Sequence, residues 1–232
     1  MKSSIVMTTY NGEKYLEEQI KSVVNQLDSE TELIISDDGS TDNTLNILKP
    51  YTGHENVTLI KGPRQGVIQN FNNALSYAKG KYVFFCDQDD IWVDGKIRSV
   101  VKCFEAYSDI KVVMHDAFIL TEEGVSNESI FENRKAKHGV ARNILFSTYY
   151  GCCMGVERDF LTTILPLNPY VLYDQHIGNC AEAMKCSYFL EEKLIYHREH
   201  TDNWSQKQSV GSRIAIRMQL IKALQNYRKT IK

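Results

Sequence analysis

Lys81-Tyr82-Val83-Phe84-Phe85-Cys86-Asp87-Gln88-Asp89-Asp90-Ile91-Trp92-Val93-Asp94 sets the reading of the whole chain. Tyr82 to Cys86 is a short apolar run with strand character, and it stops at three carboxylates in four positions. Carboxylates crowded at the end of a buried strand repel one another and resist leaving water unless a cation neutralises them. A hard divalent ion, Mg²⁺ or Mn²⁺, suits oxygen donors, takes one or two protein carboxylates and leaves its other positions to water and substrate phosphates. The stretch therefore predicts a metal-assisted diphosphate site. Asp-x-Asp is also common in turns and helix caps, so its surroundings decide.

Outward from it, residues 3–9, 33–35 and 57–60 are further apolar runs, each followed by helical periodicity. The helices expected are 13–26, with Leu16, Ile20, Val23, Val24 and Leu27; one carrying Leu45, Ile47 and Leu48 to a stop at Pro50; and 67–78, closed by Gly80. Four strands each followed by a helix predict an α/β fold, with a mixed, mainly parallel sheet flanked by helices. In such sheets ligands bind beyond the carboxyl ends of the strands. Thr8 to Asn11, Asp37 to Asp42, Arg64 to Gly66 and Asp87 to Asp90 all follow strands, so they are expected to converge on one crevice. No GxGxxG follows the first strand and no GxxxxGK[ST] occurs, which argues against dinucleotide oxidoreductases and P-loop enzymes.

Past a helix at 94–107 the pattern loosens. Residues 112–115 and 117–120 are strand-like, and the polar, weakly periodic 121–137 is expected as a flexible loop over the site. Residues 144–150 predict a strand giving way to the tight segment Gly151-Cys152-Cys153-Met154-Gly155. A short helix at 160–165 ends at Pro166, another covers 174–185, and a last strand at 190–196 leads into His197-Arg198-Glu199-His200-Thr201-Asp202-Asn203. The six cysteines form no CxxC pair and no zinc spacing, and are expected as buried thiols.

The 232 residues, 43% of them hydrophobic, suit one large domain or a domain with an appendage. The net charge of −2 hides an asymmetry: from Trp204 to the end there are seven Lys or Arg and no Asp or Glu. Over 212–232, helical spacing sets Met218, Ile221, Leu224 and Tyr227 on one face. A basic helix of this kind either lies on an anionic membrane surface or packs on the domain. Nucleic acid is not expected as a partner, because the remainder of the chain is acidic. With no leader pattern and no run approaching the roughly 18 apolar residues of a membrane span, a cytoplasmic location is expected, peripheral at the inner face of the membrane if 212–232 binds there.

Val6-Met7-Thr8-Thr9-Tyr10-Asn11, Ser36-Asp37-Asp38-Gly39-Ser40-Thr41-Asp42 and Asp87-Gln88-Asp89-Asp90-Ile91-Trp92 together resemble a family 2 glycosyltransferase with the GT-A fold, over residues 3–203. Asp-Gln-Asp-Asp-Ile-Trp, with Tyr150-Gly151-Cys152 and the late His-rich segment, is most similar to bacterial rhamnosyltransferase-like members that build surface polysaccharides. The resemblance implies an inverting, metal-dependent transfer from a nucleotide-sugar donor, dTDP-rhamnose or a UDP-sugar, to a hydroxyl of a saccharide or polyprenyl-linked saccharide acceptor. It also implies a glycosyltransferase domain at 1–203, with a nucleotide-sugar half to about 110 and an acceptor half beyond, followed by a basic tail at 204–232.

Carried over by position, Thr8, Tyr10 and Asp38 hold the base and ribose, with Gln65, Asn70 and Gln88 as further nucleotide-sugar contacts. Asp87 meets the ribose or the metal's waters. Asp89 binds Mg²⁺ or Mn²⁺, and His200 completes the metal shell or faces the diphosphate, with His197 and Arg198 as alternates for the phosphate. Gly151, Cys152 and Cys153 line the acceptor side. The family's base is an acidic residue opening a helix after the sheet, and Tyr173-Asp174-Gln175-His176 takes that place, departing from the usual acidic pair and leaving Asp174 as the base. Two other readings stand beside this one. A haloacid dehalogenase-type phosphohydrolase using Asp87 is disfavoured by Ile91, where Thr or Val is usual, and by the three βα units that come first. A non-catalytic sugar-nucleotide binding module is disfavoured by the presence of Asp174.

Overall fold

A computed structural model of the chain describes residues 1–200 and 210–230. Its first half is four strands, β1 (Ser3–Thr9), β2 (Thr31–Asp37), β3 (Val57–Lys61) and β4 (Tyr82–Cys86), separated by α1 (Leu16–Val24), α2 (Thr44–Leu48), which runs into a 3-10 turn at Lys49–Gly53, and α3 (Val67–Leu75). A two-residue strand, β5 (Ile91–Trp92), and α4 (Lys96–Ala106) follow. The second half holds β6 (Val112–Thr121), β7 (Gly124–Ser129), α5 (Ile130–Arg134), α6 (Val140–Leu145), a 3-10 turn at Gly151–Cys153, β8 (Met154–Glu157), α7 (Arg158–Thr162), α8 (Tyr173–Met184), β9 (Ser187–Arg198) and α9 (Val210–Thr230).

One sheet joins both halves in the order β3-β2-β1-β4-β8-β6-β9-β5, with β7 on β6. It is parallel from β3 to β4 and between β6 and β9, and antiparallel where β8 bridges the halves. β1 and β4 are buried at every position. That is why they read as unbroken apolar runs rather than alternating ones, since helices cover both faces. Leu16, Ile20 and Val23 of α1, Phe71, Ala74 and Leu75 of α3, and Val100 and Phe104 of α4 recur at helical spacing and are buried. Each such Leu, Ile, Val or Phe burial contributes about 1.5–3 kcal/mol.

Register aligns the strand ends that carry the polar residues. Met7 of β1 lies opposite Cys86 of β4, and Thr8 and Thr9 lie opposite Ser36 and Asp37 of β2, whose Asp37 lies opposite Lys61 of β3. Residues 8–11, 37–42, 61–66 and 87–90 therefore emerge at one edge of the sheet.

Three elements differ from the sequence expectation. The loop expected at 121–137 is a hairpin and a helix: Gly124, at φ +120°, turns the chain so that β7 returns along β6, and Ser129 and Glu132 form a reciprocal capping box that starts α5. The strand expected at 144–150 is instead the end of α6 and an irregular stretch. Asn143 locks that shape, its side-chain N–H donating to the carbonyls of Lys137 and Gly139 and its oxygen accepting from the Thr148 N–H. The strand of this region is β8, three residues further on, and the two strand-like runs at 112–120 are one strand carrying register shifts.

The expected C-terminal helix is present as α9, turned from its expected orientation. Leu224 and Tyr227 are buried together with Leu220, whereas Met218 and Ile221 face outward. Tyr227 accepts from the Thr163 hydroxyl at 3.3 Å, so the helix is packed on the domain. The boundary expected at 203–204, Thr201 to Asn203 of the His-rich segment, and Ile231 and Lys232 lie outside the described residues. No described helix is long and apolar enough to cross a membrane.

Candidate active site

β4 ends at Cys86 and releases Asp87 and Asp89, both half-buried, and Asp90, fully buried. Burial pushes the Asp87 carboxyl well above the usual carboxylate range, with Asp89 and Asp90 adding repulsion and Asp174 contributing from α8. Asp89 is raised by burial and by Asp90, in part offset by His200, whose Nε2 lies 2.9 Å from Asp89 Oδ2. The His200 ring lies 4.9 Å from that of Tyr15, and its Nδ1 is buried with no partner among the described residues. The two residues expected to hold a metal are thus brought together.

Asp90 behaves differently. Pairing of β5 with β9 sets Ile91 opposite Tyr196, which places fully buried Asp90 beside His197. Asp90 Oδ1 lies 3.0 Å from His197 Nδ1 and accepts the Arg198 N–H at 3.0 Å. Burial alone would raise Asp90, but His197 and these hydrogen bonds outweigh it and hold it below its ordinary value. Against the lowering effect of burial, Asp90 and Cys152 push His197 well upward. Both groups are charged, so this is a buried ion pair, with Cys152 Sγ at 3.7 Å from the same Nδ1. Both partners share one ring nitrogen, which rules out a proton relay through the imidazole from Cys152 to Asp90. Removing one member of a buried pair strands the other charge. Asp90→Asn is therefore expected to destabilise the fold by about 3–5 kcal/mol, measured by urea unfolding.

Asp174 lies in the first turn of α8, where the helix dipole favours an anion. Its Oδ1 accepts the Gln175 N–H at 2.7 Å, and the Gly151 N–H is a second donor. Burial outweighs these donors and lifts the carboxyl to about 6. The Tyr173 ring lies 4.8 Å from that of Phe71 and 4.9 Å from that of Phe85, which fixes the start of α8 against β4. Beneath the 3-10 turn, fully buried Lys96 donates to the Cys152 carbonyl at 2.6 Å and sits 3.9 Å from the centre of the Trp92 ring. A Cβ at Gly151 would collide with the Tyr173 hydroxyl. Gly151→Ala should push Tyr173 and Asp174 out of place and lower kcat by about 100-fold, with a smaller change in the donor's KM.

The remaining sequence candidates divide into surfaces and supports. Thr8 is buried at the end of β1, whereas the Tyr10 side chain is 56% exposed and free to offer its ring face. Gln88 clamps the Tyr10 backbone, accepting its N–H at 2.8 Å and donating to its carbonyl at 3.1 Å. Asp38 ties down the β3–α3 loop: its carboxylate accepts the N–H groups of Arg64, Gln65 and Gly66. Gln65 is exposed. Asn70 is 1% exposed and commits its amide to Ser36, accepting from the hydroxyl and donating to the carbonyl, so its place is behind the crevice wall. Arg198 donates to the Asp89 carbonyl and pairs with Glu18.

Sequence reasoning missed Asp37, which accepts from Thr9, Gly39 and Ser40 and shapes the turn. The signal was there, because Asp-x-x-Ser is an Asx-turn pattern. It also missed Lys96 and the Asp90–His197 pair, which no local spacing announces. All six cysteines are free thiols, five of them buried.

The fold itself is shared with solved structures. S. aureus TarS 1–349 in complex with UDP-GlcNAc matches at a TM-score of 0.72 and 22% identity, over 90% of this chain and 62% of that one. Glucosyl-3-phosphoglycerate synthase from Mycobacterium tuberculosis, in complex with Mn²⁺, UDP and glucosyl-3-phosphoglycerate, matches at 0.62 and 19%, over 97% and 79%. The fold is GT-A. Residues 4–165 match the sequence model of Glycosyl transferase family 2, and the chain belongs to that family.

Among its relatives, an uncharacterized glycosyltransferase of Nostoc sp. is 29% identical over 214 residues, 88% of this chain and 66% of that protein. The dTDP-rhamnosyl transferase RfbG of Shigella flexneri is 39% identical over 104 residues, 42% of this chain and 36% of that protein. The chain thus spans about two thirds of the Nostoc relative's length. Membership of this family sets aside the phosphohydrolase reading.

Proposed function

We propose that residues 1–203 form the catalytic domain of an inverting glycosyltransferase in polysaccharide synthesis, with Asp174 as general base. One observation carries the reading: a carboxylate lifted to about 6, fixed by Gly151 and Tyr173, close enough to the Asp87 cluster to raise the Asp87 carboxyl. A base with this affinity is ionised at neutral pH yet still takes a proton readily. The acceptor hydroxyl attacks C1 of the donor sugar as its proton passes to Asp174, the bond from C1 to the diphosphate oxygen breaks, and the nucleoside diphosphate leaves from the opposite face.

Asp89 and His200 fit a hard divalent ion. A carboxylate oxygen and an imidazole nitrogen face each other at 2.9 Å beside two further carboxylates, a donor set and charge suited to Mg²⁺ or Mn²⁺. When bound, the ion offsets charge on the departing diphosphate. Thr8, the exposed ring of Tyr10, Asp38 with its loop at 64–66, and Asp87 form the base and ribose side, with Gln88 and Asn70 supporting it from behind. Rhamnose carried on dTDP is the first donor to test, on the likeness to RfbG, with a UDP-sugar second. A saccharide or polyprenyl-linked saccharide takes the acceptor place, at the cytoplasmic face of the membrane.

The test is a thermal-shift panel of nucleoside diphosphates and nucleotide sugars with Mn²⁺ or chelator, followed by product analysis with the donor that shifts most. A metal-dependent shift selective for one nucleotide sugar supports the reading. The absence of any shift across the panel overturns it.

A further inference from the structure

Two segments of the chain carry no carboxylate. Between Glu132 and Glu157 lie Arg134, Lys135, Lys137 and Arg142, and after Asp202 lie seven Lys or Arg. These eleven cations lie in segments that contain no Asp or Glu, whereas the rest of the chain holds sixteen basic and 29 acidic residues. Far apart in sequence, the two segments meet in the fold. Arg217 of α9 donates to the Ile144 carbonyl at 3.2 Å and the Leu145 carbonyl at 2.9 Å, joining α9 to the end of α6.

Among the described residues of α9, the fully packed face is that of Leu220, Leu224 and Tyr227. At about 100° per residue, Ile214, Met218 and Ile221 fall on a second face roughly a third of a turn away, and they are 54%, 56% and 40% exposed. Arg217 lies at the border of the two faces, so its bonds to α6 set this exposed face beside Leu145 and Phe146, themselves 56% and 63% exposed. Five large apolar side chains are thus presented on one side of the molecule. Cations rim them: Arg142 lies 5.7 Å from the Phe146 ring, and Lys222, Arg228 and Lys229 flank the exposed face of α9.

We propose that this face, built from the end of α6 and the outer side of α9, docks on an anionic lipid bilayer. Each Lys or Arg near such a surface contributes attraction, apolar side chains enter the headgroup boundary, and the acidic remainder of the chain is repelled, which fixes the orientation. The basic segment also reaches the candidate site. Arg134 lies 5.5 Å from the Tyr150 ring, and that ring lies 5.5 Å from His197. Docking therefore holds the mouth of the site near the membrane, where a lipid-linked acceptor presents its sugar. That last point rests on the glycosyltransferase reading; the docking itself does not.

The experiment is co-sedimentation of the full chain with phosphatidylcholine vesicles, with and without phosphatidylglycerol, at low and high salt. Binding is expected to rise at least about tenfold with phosphatidylglycerol and to fall at high salt. The double variant Phe146→Ser, Ile221→Ser should lose about tenfold in binding with its Tm unchanged, since both side chains are exposed. Lys222→Glu with Lys229→Glu should lose binding to the anionic vesicles. Asp174→Asn should bind like the parent, so failure of sugar transfer and failure of docking are separate results. The proposal is overturned if the parent ignores phosphatidylglycerol or if the variants sediment like it. It is equally overturned if the chain forms a dimer that Phe146→Ser, Ile221→Ser disrupts and binds no vesicles, which would assign the face to a second copy.

Discussion

Asp174→Asn is expected to lower kcat by about 10²–10⁴-fold, the contribution typical of a positioned general base, with the donor's KM nearly unchanged. Asn keeps the shape and can still accept the Gln175 N–H, but it cannot take the acceptor's proton. In the parent, kcat/KM should rise with pH up to about 6, where Asp174 ionises, and level off above it. The variant's residual rate should lack that limb. Stability supplies an independent reading. The Asp174 carboxyl is raised in the fold from 3.8 to about 6, so between those values the folded chain holds a proton that the unfolded chain has released. Stability therefore falls as pH rises through this window, and the cost is fully present above about 6. At most it is on the order of 3 kcal/mol. Asp174→Asn should accordingly melt several degrees higher than the parent at pH 7.5 and with the parent near pH 4. Activity within threefold of the parent would place the base elsewhere, and loss of activity without the neutral-pH stabilisation would mean that burial does not raise the Asp174 carboxyl.

The parts of the fold that could be read in the sequence are those whose environment is uniform along the chain. β1, β2 and β4 are buried nearly throughout, and their apolar runs say so. β5 is two residues long, and its existence depends on β9, more than a hundred positions later, so no local pattern announces it. β7 is exposed along most of its length and shows no alternation. Residues 144–150 look β-like in composition, but Asn143 wires that stretch into a helix end. Gly155 hides β8, because a strand glycine reads as a break, whereas here a Cβ would meet Val100 at 2.5 Å and the glycine permits the close packing of α4.

The site divides in the same way. Its carboxylates were legible because charge after an apolar strand demands a reason. Which carboxylate does what was not legible: Asp89 faces His200 while its neighbour Asp90 is consumed by His197, and that choice is made by the β5–β9 register. Lys96 reads as a surface lysine in any sequence scan. Only the fold shows it wholly buried under the turn that supplies Gly151 to Asp174.

Asp89→Ala should separate the ion's role from that of the protein frame. For a ligand that binds only the folded chain, stabilisation is set by occupancy, about 2.7 kcal/mol at a hundred times Kd. In a chain of 232 residues that is a rise of roughly 5–10 °C. With Mn²⁺ and the cognate nucleotide sugar the parent should show it. Asp89→Ala should not, and its transfer rate should fall at least about 1,000-fold. Without metal the sign reverses. Asp89 loses its bond to His200 in the variant, but Asp87 and Asp90 lose a neighbouring charge, and the raised Asp89 carboxyl shows that burial and crowding outweigh the histidine. In chelator at neutral pH the variant should therefore melt at or above the parent's temperature. A residue with a purely structural role would lower both melts. His200→Ala should weaken the metal-dependent shift less than Asp89→Ala, because the carboxylate remains to hold the ion. If the shift survives Asp89→Ala intact, the ion is held elsewhere. Asp90, Cys152 and His197, whose donor atoms lie within 4.8 Å of one another, are then the next residues to substitute.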